Sequence, residues 1–330
     1  MADPGLGSLS NVLIDFENGW GVDKTVPTGR KISVVSETIV PAQDQIDNPS
    51  IRGDFNYGDP INGPKKADGS LVHVPTLTTA PWFAQLLSGA SGFATVGAAD
   101  PWVHTAKPGT SMPHSAIIEK SITAGGATKF SKTTGARINN WKIPIEPSGI
   151  LQWSFDIMGK DNVPNGAAAY DSDATIDWRA GSPLEHLLLT AALVKMGGSA
   201  VGFIKKGEIS IAANLKGDDY RAGGGGVRSS LVPGKMAVTG TLDFVVDNVT
   251  ILATLLAGTP TSLDFTWTQG TGDTLQIALP RVFLQKTGWQ LQNDGPIEIN
   301  GVTFKAVYDG TALSQIVFTI TNDQAGTVYV

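Results

Sequence analysis

The chain has no cysteine, so neither a disulfide nor a thiolate metal site can hold it together. Charge is scarce too: Asp, Glu, Lys and Arg make up 16% of 330 residues, with a net charge of −6. A sequence pI near 5.2 argues against a broad basic groove for gripping nucleic acid. Long hydrophobic runs are missing. The longest, residues 187–196, is too short and too interrupted to span a bilayer, so no membrane binding by this chain is expected. Residues 1–19 lack a basic stretch followed by an apolar one, which predicts a soluble product that stays in the cytosol where it is made.

Chemistry-bearing patterns are equally sparse. His73, His104, His114 and His186 show no metal-ligand spacing. Asp171, Asp173 and Asp177 resemble a loose calcium loop but lack its glycine and terminal glutamate, so they read as a solvated linker. Residues 223–226 are four glycines without the Gly-Lys-Ser/Thr ending of a phosphate cradle, and read as an inter-strand loop. Arg52-Gly53-Asp54 reads as an incidental tripeptide, and Asn248 as a helix cap rather than a glycan acceptor. No Ser-His-Asp or paired-carboxylate arrangement is visible. The expectation is a protein that is not an enzyme and carries no cofactor or metal.

What is present is glycine, 39 residues of it, and an apparent internal repeat. Residues 81–89 (PWFAQLLSG) and 249–258 (VTILATLLAG) are short apolar helix patterns that both end in Leu-Leu-x-Gly. Strand patterns surround each. In the first half they fall at 31–40, 71–74, 116–122, 137–145 and 150–158, the last two flanking a Glu-Pro-Ser-Gly turn. In the second they fall at 206–215, 235–246, 263–268, 274–284, 297–308 and 315–321. Residues 41–66 and 216–233 read as long polar loops at matching places, and 93–113 reads as irregular. Residues 187–205 fit either a capped helix or a hairpin by periodicity alone. The two Leu-Leu-x-Gly sites stand 169 positions apart, too far for a solenoid, so a domain duplication is expected. The units are an arm at 1–30, a first fold at 31–160, a linker at 161–185 and a second fold at 186–330.

An ordered series of segments then carries a resemblance: NPSIRGD at 48–54, IIEKSI at 117–122, ARINNWKIPIEPSGILQWSFDIMGK at 136–160, VTGTLDFVVD at 238–247, LPRVF at 279–283 and FKAVYD at 304–309. Together these resemble the tail tube (major tail) proteins of long, non-contractile-tailed bacteriophages, over roughly residues 31–310. The resemblance implies a mainly β, duplicated tail-tube fold. It has two antiparallel β-sandwich or barrel units, each with one short flanking helix, and a hairpin at 187–214. It implies a structural virion protein that polymerises as stacked rings into the tail tube, the conduit for genome delivery. The implied partners are further copies of the chain, the tape measure protein, tail terminator and tail-tip proteins, and double-stranded DNA as a transient, non-specific passenger. The implied location is the virion tail, assembled in the host bacterial cytoplasm. Two folds per chain predict a trimeric ring with pseudo-six-fold symmetry, where single-fold relatives form six-membered rings.

Alternation supplies candidate residues. On 206–215 the polar face is Glu208, Ser210 and Asn214; on 235–247 it is Thr239, Thr241, Asp243 and Asp247. Glu37 holds a comparable place in the first half. Glu37, Glu208 and Asp243 are therefore candidate acidic lumen-lining residues, although a plain outer surface fits the same alternation. Arg52, Asp54, Tyr57, Arg221 and Arg228 are candidates for ring-stacking loops. Eight tryptophans keep a second reading open, a carbohydrate-binding β-sandwich, although Trp141 and Trp153 sit in strand patterns that favour packing.

Overall fold

The computed structural model describes residues 10–50, 53–54, 56, 58–189, 194–201, 204–245, 257–270, 272–285 and 297–329. The protein is mainly β. The strands of the first half are β1 (Asn11–Phe16), β2 (Arg30–Ile32), β3 (Val34–Glu37), β4 (Val40–Ile46), β5 (Ile61–His73), β6 (Phe93–Val96), β7 (Trp102–Ala106), β8 (Ala116–Ala124), β9 (Ala127–Ile145), β10 (Trp153–Gly159), β11 (Asp161–Gly166) and β12 (Ile176–Asp177). Those of the second are β13 (Val194–Met196), β14 (Ser199–Ala200), β15 (Ile204–Ala212), β16 (Ala237–Val245), β17 (Thr261–Gln269), β18 (Asp273–Leu284), β19 (Glu298–Ala306) and β20 (Val317–Asn322). An α-helix, α1 (Ala80–Ser88), lies between β5 and β6.

The hydrogen-bonding pattern occurs twice. β1 pairs with β8, β8 with β9, β9 with β10 and β11, β10 with β5, and β5 with β3 and β4. Correspondingly, β13 pairs with β17, β17 with β18, β18 with β19 and β20, β19 with β16, and β16 with β15. The irregularities recur at the same places. A bulge carries the β8–β9 register from Ala116↔Ala136 to Ile118↔Thr133, and the β17–β18 register from Thr261↔Val282 to Leu263↔Leu279. Another lies between Val34 and Ser36 against β5, and between Ile204 and Lys206 against β16. Bulges fix register and re-aim side chains, so their recurrence ties the two halves together more closely than strand order does.

Several sequence expectations change. Residues 11–16 belong to the fold and not to an arm: Val12, Leu13, Ile14 and Phe16 are buried, because β1 lies between β2 and β8. Residues 161–185 hold β11, β12 and anchored side chains rather than a free linker. Residues 93–113 are not irregular, since β6 and β7 form a hairpin. The hairpin alternative holds around 194–200, preceded by one 3-10 turn at His186–Leu188. The helix α1 has no solvent-facing side. All nine of its residues are buried, which an apolar helix without a polar face requires. The second Leu-Leu-x-Gly pattern and its cap Asn248 lie outside the described residues, apart from Ala257 and Gly258.

β9 is the strand both halves share. Its first part pairs with β8 and β11, and its second with β10 on one edge and β15 on the other. Gly135, at φ +65°, makes the corner. The buried Glu17 accepts from Gly135 N at 2.7 Å, and Trp20 Nε1 donates to its carbonyl at 3.2 Å. A Cβ there would sit 2.6 Å from Lys160 Cβ, so only glycine fits. Beyond the corner, Trp141 stacks on Phe318 of β20 with centroids 4.9 Å apart and planes 3° from parallel. β7 of the first half pairs with β20 of the second, so the halves interlock in both layers.

A buried carboxylate closes the other side. Asp15 accepts from Phe16 N and Thr28 N at 2.8 Å, Lys24 Nζ at 3.1 Å, Tyr170 Oη at 3.2 Å and Arg30 Nη1 at 3.3 Å. Arg30 lies over Trp178 at 5.3 Å and donates its other amino group to the Val328 carbonyl. Asp15→Asn leaves Arg30 buried without its counter-charge. Urea unfolding is expected to show a loss of roughly 3–5 kcal/mol.

His73 is fully buried between two partners. The Ser33 carbonyl can only accept, so Nδ1 carries the proton at 2.6 Å and Nε2 accepts from Thr79 Oγ1 at 2.9 Å. Burial pushes its pKa down to about 4. Because the folded value is depressed, stability is fully present above pH 6.5 and is lost as pH falls toward 4. At full effect one such shift is worth about 3 kcal/mol. His73→Gln is expected to remove that part of the slope in urea titrations between pH 6.5 and 4. An unchanged slope would refute the assignment.

Candidate functional site

Because β9 hydrogen-bonds β15, the strands β5, β10, β9, β15, β16 and β19 form one sheet that runs through both halves. One face of it is apolar: Phe155, Trp141, Ile143, Ile209, Ile211, Val238, Leu242 and Phe244 are all inaccessible to solvent. The side chains between them point the other way, as strand geometry demands. That face carries Asp156, Asn140, Lys142, Glu208, Ser210, Thr239, Thr241, Asp243 and Lys305, with Asn140 and Ser210 hydrogen-bonded at 3.0 Å.

Glu208 and Asp243 share this face, because Glu208 stands opposite Thr241, two residues before Asp243. Each carboxylate has a lysine: Lys142 Nζ lies 3.7 Å from Glu208 and Lys206 Nζ 3.5 Å from Asp243. This face is thus charge-balanced rather than acidic. Glu37 lies on the opposite side. The bulge at Val35 turns the chain by one residue, so Glu37 pairs with the core residue Leu71. There it accepts from Lys120 Nζ at 2.7 Å and from Ile39 N at 2.5 Å.

The loops expected at 41–66 and 216–233 differ in kind. The first begins and ends in a hairpin of β4 and the start of β5, and the described residues between them lie outside strands. Pro41 is tolerated on an edge strand and Pro64 beside the bulge at Gln43–Gln45. At the tip Asp54 is exposed and accepts from Asn56 N at 2.8 Å; Arg52 and Tyr57 lie outside the described residues. The second loop folds back onto the first half. Gly226 O accepts from Lys65 N at 2.7 Å, and Tyr220 Oη donates to Lys65 O at 3.2 Å.

Arg228 is the clamp. It is 3% exposed and grips both oxygens of Asp68, with Nη2 at 2.7 Å, while Nη1 reaches Gly159 O at 2.8 Å and Nε reaches Gly217 O at 2.7 Å. All of these bonds commit the residue within the chain. Arg221 is exposed and paired only with Asp219, at 2.8 Å. No signal in the sequence links Arg228 to Asp68, which stands 160 residues away.

The remaining polar clusters serve the fold. His104 is held by Thr95 Oγ1 at 2.9 Å and Asn322 Oδ1 at 3.0 Å, and burial lowers its pKa. Asp177 binds Arg179, with Nε at 2.8 Å, and its carboxyl is held down to about 2 by that hydrogen bond. Among the described residues no group of three or more His, Asp or Glu could hold a metal ion.

A comparison with curated proteins returns no match. The model of one family, described as phage tail tube protein, matches residues 7–312. That span takes in β1 and reaches beyond β19, so the first copy of the pairing pattern and all of the second except β20 lie within it. With nearly the whole chain covered, and a mainly β fold with one polar face, the protein belongs to the phage tail tube protein family and is a structural component of the virion tail.

Proposed function

We propose that three copies of this chain close into a ring with pseudo-six-fold symmetry, and that the rings stack into the tube of a long, non-contractile phage tail. The observation that carries this is the β9–β15 pairing, which joins the two halves edge to edge in one sheet. Repeating that junction between chains removes the remaining sheet edges, which would otherwise recruit other strands. The contact is head-to-tail and closes by rotation. Fusing two units places each at high effective concentration beside its partner and lowers the entropic cost of closure. The units divide near 161–185, with β1 and β2 added to the first.

The polar face is the wall of the bore. Lysines beside Glu208 and Asp243 leave it close to neutral, so it neither grips nor strongly repels a polyanion passing through. Double-stranded DNA is then a transient passenger during genome ejection. The tape measure protein occupies the bore before it, and terminator and tip proteins cap the ends. Assembly takes place in the host cytoplasm, and no catalysis is required.

Negative-stain microscopy of purified protein should show rings or tubes, and native mass spectrometry of isolated rings should count three chains. Six chains per ring would place one half at the periphery. Monomers that bind glycans and never form rings would favour the carbohydrate-binding reading instead.

The tip of the β4–β5 hairpin, residues 47–60, is the segment that reaches the adjacent ring. Its described residues are exposed or half-buried, so they contribute little to the core. Replacing 47–60 by a short Asn-Gly turn is expected to leave rings intact but abolish long tubes. Tubes of normal length from that variant would sink the assignment.

A further inference from the structure

The strands β7, β20 and β18 lie side by side, and their two ends carry opposite chemistry. At one end β20 stops at Asn322, opposite Trp102 at the start of β7, and β18 starts at Asp273, opposite Gln269. Asp100, Asp273 and Asp323 crowd together there: burial, and then the charges of Asp323 and Asp100, raise the pKa of Asp273. Among the described residues no lysine or arginine forms an ion pair with any of the three. Beside them Phe93, Trp102 and Ala325 line a pocket of about 430 Å³. Gln85 of α1 lines it too. That side chain is 9% exposed, and its carboxamide oxygen has no donor among the described residues.

At the other end β7 runs into Lys107, and β19 reaches β20 through residues 307–316. Three large apolar side chains stand open to solvent there: Met112 at 50%, Tyr308 at 56% and Leu313 at 51%. Tyr308 and Leu313 line a cleft of about 560 Å³ with Met236 and Lys235, and Met112 sits between two further lining residues, Ser111 and Pro113. Neither Lys107 nor Lys235 has an ion-pair partner among the described residues. Leu313 is held at φ +59°, a conformation that a leucine adopts only under constraint. Asp309 supplies it by accepting from Thr311 N at 2.9 Å and Ala312 N at 2.7 Å, and Ser314 Oγ ties the turn to Pro108 O at 3.0 Å.

The first half has neither feature. Its β10 passes into β11 through Lys160 alone, and Trp20 covers that turn, its ring 5.0 Å from Lys160 Nζ. At the register position of Asp273 it has Ala127.

We propose that the Met112–Tyr308–Leu313 patch docks on the Asp100–Asp273–Asp323 end of a second copy in the adjacent ring. Lys107 and Lys235 face the three aspartates, and Leu313 enters the pocket beside Gln85. This rests on the ring reading above. It adds a second contact to the β4–β5 hairpin, which leaves its sheet at the same end as the patch. Patch and receptor lie at opposite ends of the same strands, so a shift along those strands brings one onto the other. Such a contact is head-to-tail and repeats without closing, as a tube requires. Apolar side chains clustered in water mark an interaction surface. Unpaired aspartates repel one another until cations arrive, so docking relieves a cost that each surface carries alone. Because the second half alone holds the pair, a trimeric ring docks at three places rather than six.

Two charge-reversed chains test this. Lys107→Asp with Lys235→Asp makes the patch acidic, and Asp100→Lys with Asp323→Lys makes the receptor basic; none of the four side chains is buried. Each variant alone is expected to form rings but no tubes in negative stain, because like charges then meet. Mixed, the two ring populations are expected to co-assemble into tubes, since every contact again joins opposite charges. Tubes of normal length from either variant alone, or rings that stay unstacked when mixed, overturn the docking and leave the ring reading standing. A wild-type chain that forms no rings overturns both. Leu313→Gly separates docking from folding, since glycine accepts a positive φ. That variant is expected to melt at a higher temperature and yet to form shorter tubes. Tubes of unchanged length would overturn the part assigned to Leu313.

Discussion

The architecture depends on β9 crossing from one layer of the first half to the other. Nineteen residues long, it lies between β8 and β11 before Gly135 and between β10 and β15 after it. A strand cannot do this without a residue that tolerates φ near +65° and a site that holds its peptide groups. Glu17 and Trp20 supply that site, and Glu17 pays with a raised pKa caused by its burial. Everything downstream uses the result. The second half begins its own sheet on the free edge of β9, and Trp141 offers that half its first aromatic surface.

Most of the strands were legible in the sequence because one of their faces is core. Alternation in Ile209, Ile211, Val238, Leu242 and Phe244 separates buried from open sides without any tertiary knowledge. The β4–β5 hairpin was not legible for the opposite reason: Val40, Ile46 and Ile61 are about half exposed or more, so neither face leaves a pattern. β1 carried a signal in Val12, Leu13, Ile14 and Phe16, but polar and glycine-rich flanks masked it. The candidate site was legible by halves. Simple alternation placed Glu208 and Asp243 together correctly and misplaced Glu37, because the extra residue at Val35 reverses every side chain after it. Lys142 and Lys206 were visible as residues but not as partners, since pairing is a property of register.

Duplication changes which constraints act on each copy. A repeat that must find its partner by diffusion has to present a soluble surface; a repeat tethered to its partner does not. The second half has used that freedom. Its corner at Ile277, Leu279 and Phe318 is as apolar as any domain core, and β7 and the Arg228–Asp68 clamp reach across the same junction from both sides. The first half keeps hydroxyls and an amide at the equivalent corner. Each hydrogen bond there contributes about 1 kcal/mol at most, less than the burial of the isoleucine or leucine it displaces. The polar version is therefore the less stable packing. Thr133 and Asn162 are buried within the first half, so their mutual hydrogen bond satisfies polar groups that water does not reach.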